Sequence, residues 1–187
     1  VPSLTAAVAT RSRKLVHEKI DQTLRLTMVI TIPCGVGFLV LASPLMVLLY
    51  NDASKTPAYL LMLGSVVVVL YGWSSISNSI LHGLNHISSP AKNACIALVV
   101  HLAAFVVMMT AFKMNVYALA AGNIVFAACM CWLNQRKVHK VCGFRMNIMD
   151  TFIKPLIASA VMGIVTYAAH LALDLLIGGR WIPTIIA

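Results

Sequence analysis

Long apolar stretches alternate along the chain with short polar connections. A helix needs roughly 17–25 apolar residues to cross a bilayer, and five stretches of about this length contain no charged residue. They predict transmembrane helices at about residues 27–50, 58–81, 94–112, 115–133 and 155–173. A further apolar stretch begins at Trp181 and stops at Ala187, so we expect a truncated last helix there. The pattern predicts an all-α fold, a polytopic α-helical membrane bundle.

The composition supports a chain surrounded by lipid. Apolar residues make up 60% of the 187 residues, charged residues 10%, and the mean hydropathy is +0.91. Soluble domains average roughly 45–50% apolar and about 25% charged residues. Fourteen Lys and Arg with five Asp and Glu are too few to cover a water-exposed surface of this size. The composition therefore excludes an ordinary water-soluble domain.

The basic stretch NQRKVHKVCGFR, residues 134–145, carries four Lys or Arg and no acid. The five predicted crossings place eleven Lys and Arg on one side of the membrane and three on the other. Cytoplasmic loops are enriched in Lys and Arg, so we expect residues 1–26, 82–93 and 134–154 to face the cytoplasm. A nucleic-acid surface would add interleaved aromatic residues or a reading module. We expect membrane lipids, and no nucleic acid, as partners of these cations.

The segment before the first predicted crossing has amphipathic spacing. Between residues 3 and 24, apolar residues recur at intervals typical of one helix face, with cations and polar groups between them. We interpret residues 1–26 as a cytoplasmic connecting helix that either lies along the membrane face or packs under the bundle; the second is favoured. The chain begins at Val1 with no signal-peptide pattern. We expect it to be a C-terminal portion of a larger membrane protein.

Polar residues inside the predicted crossings are the candidates for a functional site. Polar groups in hydrocarbon are costly unless they are paired or face water. The residues that we predict to line a cavity are Ser74, Ser75, Asn78, His101 and Asn123. The alternative, hydrogen bonding between helices, remains open for each of them.

Prolines and glycines mark the first crossing as a helix that bends. Proline removes a backbone donor and its ring clashes with the preceding turn. The candidates for a helix break or hinge are Pro33, Gly35, Gly37 and Pro44. A fixed kink that only improves packing is the alternative.

Other chemistry is not indicated. His82 and His86 are four residues apart, but HGLNH lacks the Glu of a zinc-binding HExxH helix, so we predict no metal site. Cys129 and Cys131 form neither a CxxC pair nor a zinc knuckle, and packed thiols are the simpler interpretation. No phosphate loop, nucleophile elbow or carboxylate pair is present. We therefore predict no catalytic residues, no cofactor and no enzymatic activity.

Two stretches carry a family resemblance. The first, PSLTAAVATRSRKLVHEKIDQTLRLTMVITIPCGVGFLVLASPLMVLLY, and the second, SNSILHGLNHISSPAKN, resemble the polysaccharide-exporter branch of the multidrug/oligosaccharidyl-lipid/polysaccharide (MOP) flippases. Within that branch the chain is most similar to the stage V sporulation protein B-like and polysaccharide-biosynthesis C-terminal group. The residues that carry the match are Pro2, Pro33, Gly37, Pro44, Leu81, Gly83, Pro90 and Asn93.

The resemblance implies a transporter of two pseudo-symmetric lobes that alternately opens a central cavity to the two faces of the bacterial plasma membrane. This chain would then be the second lobe plus the trailing helices, and a missing N-terminal lobe of the same protein would be its partner. The implied cargo is a lipid-linked oligosaccharide or polysaccharide precursor moved outward for the cell envelope. The alternatives are a MATE-like cation-coupled drug or metabolite exporter and a membrane scaffold that transports nothing.

Overall fold

A computed structural model describes residues 13–50, 54–113, 115–144 and 146–177, and this part of the chain is helical without strands. The helices are α1 Arg13–Val40, α2 Ala42–Tyr50, α3 Lys55–Gly83, α4 Ser88–Thr110, α5 Val116–Cys142 and α6 Lys154–Ile177, with a π-helical turn Met149–Ile153 before α6. Within these residues, five helical segments are long and apolar enough to cross a membrane. The predicted fold class, an all-α polytopic bundle, is confirmed. The predicted last helix from Trp181 lies outside the described residues.

The long helices stand side by side in a row. Along the row the order is α4, α5, α3, α1, α6, and the short helix α2 packs against α3. Large apolar side chains remain exposed on helices throughout the row, among them Leu26, Val99, Leu119 and Ile164. Lipid tails cover such surfaces without the penalty that water would impose. The described helices therefore form an open row with wide surfaces suited to a bilayer.

Helix α1 is continuous across residue 26, where the sequence predicted that a connecting helix would end. Its 28 residues correspond to about 42 Å, longer than the roughly 30 Å hydrocarbon core. Val16, Ile20 and Leu24 are buried at every fourth position, and they contact residues near the ends of α3 and α5. The first part of α1 that the structure describes thus packs against α3 and α5. The boundary at residue 26 stays a prediction.

A hydrophobic cluster holds the helices together at one end of their length, at one membrane surface. We call this the inner end, residues 13–28, 73–93 and 130–154, because it holds the loops predicted to face the cytoplasm. The buried members of the cluster are Val16, Ile20, Leu24, Ile80, Leu81, Val138 and Phe144. His17 adds a polar contact, because its Nε2 lies 2.7 Å from the carbonyl oxygen of Cys142 at the end of α5. Gly143 then ends α5 in the left-handed conformation with φ of 70°.

The first crossing breaks at Leu41, between α1 and α2. Pro44 explains the position, since it has no N–H for the carbonyl of Val40, four residues earlier, and its ring crowds that carbonyl. Backbone hydrogen bonds from Leu41 to Gly37 and from Leu45 to Leu41, both 2.9 Å, continue on either side. Pro33, by contrast, lies within α1 without ending it.

The two glycines among the hinge candidates differ in their surroundings. A Cβ on Gly35 would lie 2.9 Å from Cγ2 of Val69, so Gly35 permits close approach of α1 and α3. A Cβ on Gly37 would meet nothing within 4 Å. Movement at Pro33, Gly35, Gly37 or Pro44 stays a prediction.

Candidate functional site

Three asparagines on three helices form a hydrogen-bonded relay, which we call the Asn relay: Asn78 of α3, Asn93 of α4 and Asn134 of α5. The Nδ2 of Asn134 donates to Oδ1 of Asn78 at 2.6 Å. The Oδ1 of Asn134 accepts from Nδ2 of Asn93 at 2.8 Å. An amide side chain offers both a donor and an acceptor, so one residue can join both neighbours. Asn134 is 0% exposed, and the relay satisfies both ends of its amide.

The neighbours of the relay place it near the predicted inner surface of the bilayer. Trp132 lies two residues before Asn134, and the guanidinium of Arg136 lies 4.0 Å from the centre of its ring. Trp and Arg at the end of a membrane helix commonly mark the lipid–water interface. On α4, the cation Lys92 directly precedes Asn93. At this depth the polar headgroups and the hydrocarbon meet. Because the amides are paired with one another, they avoid the cost of an unpaired polar group in hydrocarbon.

The contact between α3 and α5 continues beyond the relay with smaller groups. Cys131 lies with its Sγ 3.0 Å from the carbonyl oxygen of Leu70. Ser74 is buried on the same helix as Leu70. Ser75 is exposed, and its carbonyl oxygen accepts the hydroxyl of Ser79 at 3.0 Å. Adjacent serines on α3 therefore have different environments, one buried and one open.

His101 of α4 packs on a glycine of α5. A Cβ on Gly122 would lie 2.9 Å from Cε1 of His101, so the glycine provides the space for the ring. The ring also meets Phe126 edge-on, with centroids 6.0 Å apart. Nδ1 of His101 is buried without a hydrogen-bond partner in the described part of the chain. Asn123 follows Gly122 and is half-buried.

The five predicted cavity residues have different surroundings, and their place on a cavity stays a prediction. Asn78 and His101 make contacts between helices, and Ser74 is buried, whereas Ser75 is exposed and Asn123 is half-buried. Sequence reasoning missed Asn134, which it assigned to the basic stretch, and it used Asn93 only for the resemblance. The usable signal was the four-residue spacing of Met130, Asn134 and Val138, which are all buried and which share one helix face.

Two of the cavities in the described part of the chain lie beside α1. One of about 380 Å³ lies between α1 and α6, with Arg25, Asp150 and Lys154 among its lining residues. Lys154 forms an ion pair with Asp150. The other, of about 240 Å³, is formed mainly by apolar residues of α1, α3 and the start of α6.

The histidines and cysteines do not form a metal site in the described part of the chain. Within the described residues, no group of three or more His, Cys, Asp or Glu side chains is placed to hold a metal ion. Helix α3 ends at Gly83, so His82 and His86 do not lie on one continuous helix.

Comparison with known proteins gives two matches. The family model described as "Lipid II flippase MurJ" matches residues 1–181. A protein named lipid II flippase MurJ, from Bacillus subtilis (strain 168), is 25% identical over 167 residues, which are 88% of this chain and 30% of that protein. The chain thus spans about a third of the length of this relative. No solved structure matches the chain.

Proposed function

The chain belongs to the lipid II flippase MurJ family of the MOP superfamily, and on this premise we propose that it moves a lipid-linked saccharide precursor across the bacterial plasma membrane. The family is a transporter family of integral plasma-membrane proteins, and the five candidate crossings agree with that location. The relative from Bacillus subtilis carries lipid II in its name. We propose a cargo of that class for this protein. The match over residues 1–181 is the observation that carries the proposal.

Flipping such a lipid needs a polar path for the headgroup, while the tail remains in hydrocarbon. In our proposal the row of helices is the second lobe of the transporter, and the other lobe comes from the remainder of the protein. One broad surface of the row then faces lipid and the other borders the headgroup path. The exposed apolar side chains along the row support the lipid-facing surface.

The Asn relay has a mechanical role in this proposal. Alternating access moves lobes largely as rigid bodies. Hydrogen bonds of 2.6 and 2.8 Å join α3, α4 and α5 through Asn134, so these helices would move together. The exposed Ser75, one turn of helix from Asn78, is then the better candidate for contact with a polar headgroup.

The experiment compares Ser75→Ala with Asn78→Ala in the full-length protein. Cells that depend on it are scored for growth, for membrane abundance of the protein and for exposure of the precursor headgroup on the outer surface. We expect Ser75→Ala to lower export at normal abundance, because the hydroxyl borders the path. We expect Asn78→Ala to lower abundance, because Asn134 loses its acceptor.

Each result can also contradict its part of the proposal. If export is normal in Ser75→Ala cells at normal abundance, Ser75 has no place on the headgroup path. If depletion of the wild-type protein leaves outward movement of the precursor unchanged, the proposed transport function is wrong.

A further inference from the structure

The groove between α1 and α6 is nearly as long as one leaflet of the bilayer is thick. Both helices begin at the inner end, so they run in the same direction. Their lining residues recur mostly at four-residue steps: Arg25, Val29 and Pro33 on α1, and Lys154, Ala158 and Met162 on α6. Eight residues of helix correspond to about 12 Å, and one leaflet of the hydrocarbon core is about 15 Å thick. The groove therefore runs along the helices through most of the inner leaflet.

The polarity of the groove changes along its length. Arg25, Asp150 and Lys154 lie at its inner end, and Val29, Ala158 and Met162 lie deeper. Ser159, which also lines the groove, donates its hydroxyl to the carbonyl of Pro155 at 2.7 Å, so it presents little free polarity. A charged entrance above an apolar trough has the same order as the headgroup and acyl chain of a phospholipid.

The charges at the entrance limit which headgroup fits. Lys154 pairs with Asp150, whereas Arg25 is exposed, forms no ion pair in the described part of the chain and adds only a weaker attraction to the Asp150 carboxylate. Glu18 and Asp21 line a neighbouring depression of about 430 Å³, which shares Arg25 and Val29 with the groove. Asp21 and Arg25 are one turn apart, which corresponds to about 6 Å along the helix. A headgroup with a net negative charge would be repelled by these carboxylates, and a zwitterion would match their alternation with Arg25.

We propose that this groove binds a phospholipid of the inner leaflet with a zwitterionic, amine-bearing headgroup. The phosphate lies against the guanidinium of Arg25, whose planar donors suit phosphate oxygens. The ammonium group points toward Asp21, and one acyl chain follows Val29, Ala158 and Met162. The groove does not include Ser75, the proposed contact for the cargo headgroup, and the proposal does not depend on the identity of that cargo.

The test measures which lipids stay bound to the full-length protein. The protein is purified from membranes, equilibrated with equal amounts of phosphatidylethanolamine and phosphatidylglycerol, and analysed by native mass spectrometry. We expect wild type to retain phosphatidylethanolamine in preference. Arg25→Gln should reduce that retention about tenfold, because a charge-assisted contact to phosphate is lost. The matched control Arg136→Gln, an exposed arginine at the far side of the row, should leave retention unchanged.

Two further variants test the headgroup and the trough separately. Asp21→Asn should shift the preference toward phosphatidylglycerol, because a carboxylate that attracts the ammonium group is removed. Ala158→Leu should reduce retention of both lipids, because it narrows the apolar trough.

The proposal is overturned if wild type shows no preference between the two lipids, or if Arg25→Gln and Arg136→Gln behave alike. It is also overturned if a lipid-linked saccharide, and neither phospholipid, occupies the site.

Discussion

The helices are held together in different ways at their inner and outer ends, which lie at opposite membrane surfaces. At the inner end, large side chains such as Ile20, Leu81 and Phe144 are buried, and the Asn relay joins three helices. We call residues 41–61, 102–121 and 164–177 the outer end. Its buried residues, among the side chains described there, are three alanines: Ala42, Ala58 and Ala118. Thr110 and Thr166 donate to carbonyls of their own helices, so these bonds join nothing across the row.

The comparison teaches where the tertiary contacts of this lobe are concentrated. Buried apolar area stabilises roughly in proportion to its size, and an alanine contributes little of it. Small residues allow helices to approach closely in a membrane, but they hold them only weakly. We therefore expect the inner end to stay fixed and the outer end to separate more readily when the lobe moves.

The largest effect tests the direction of the comparison itself. A reporter that is active only in the cytoplasm, fused after Gly143 of the full-length protein, should be fully active. The same reporter inserted after Lys113 should be inactive, because the connection from α4 to α5 lies at the outer end of the helices. Activity in the reverse pattern would exchange the inner and outer ends, and it would contradict the orientation predicted from the Lys and Arg distribution.

The next largest effect is expected at the centre of the Asn relay. Asn134→Leu should lower the free energy of unfolding by about 2–4 kcal/mol, because it leaves buried amides without partners. Unfolding of the full-length protein by a denaturing detergent provides the measurement. Ser75→Ala, which changes an exposed hydroxyl, should stay within about 0.5 kcal/mol of wild type.

A triple variant separates the relay from simple packing. Replacing Asn78, Asn93 and Asn134 together by Leu removes every unpaired amide, so much of the loss should be recovered. If the triple variant is less stable than Asn134→Leu alone, side-chain volume and not the unpaired amides explains the effect.

Two glycines of α3 should respond to alanine with opposite signs. A Cβ on Gly72 would lie 2.6 Å from Cγ2 of Thr31, whereas a Cβ on Gly64 would meet nothing within 4 Å. We expect Gly72→Ala to destabilise by about 1–2 kcal/mol. Gly64→Ala should stabilise by about 0.5–1 kcal/mol, because alanine is the better helix former. The same unfolding measurement compares them, and equal effects would contradict the tight contact of α1 with α3.

The smallest effect on stability is expected at the break of the first crossing. Pro44→Ala restores a donor for the carbonyl of Val40, but Ala42 is the one buried residue of α2, so the stability change should remain below about 1 kcal/mol. The geometry should change more. Spin labels at Phe38 and Leu49 should move apart toward the distance of a continuous helix, about 16 Å along its axis. An unchanged distance would show that Pro44 does not cause the break.

Sequence reasoning identified the element type more securely than the contacts. Lipid exposure and helix formation follow from the apolar stretches alone, and the fold class was predicted in this way. Asn78 was singled out as a polar residue in a crossing, but its partner Asn134 was missed. The reason is that Lys and Arg around Asn134 dominated the local pattern, while its burial depends on contacts with α3 and α4.

The sequence by itself determined the all-α membrane class and the family. These depend on transfer of local stretches into lipid and on the residues in order, and both can be read without knowing which helices touch. Only the tertiary structure decided that the side chains of Asn93 and Asn78 meet Asn134, which follows them in the chain by 41 and 56 residues. It also decided that Arg25 and Lys154 share a groove. Such pairings depend on the order of helices in the row and on the rotation of each about its axis. Many packings satisfy the same apolar pattern, and side-chain fit selects one.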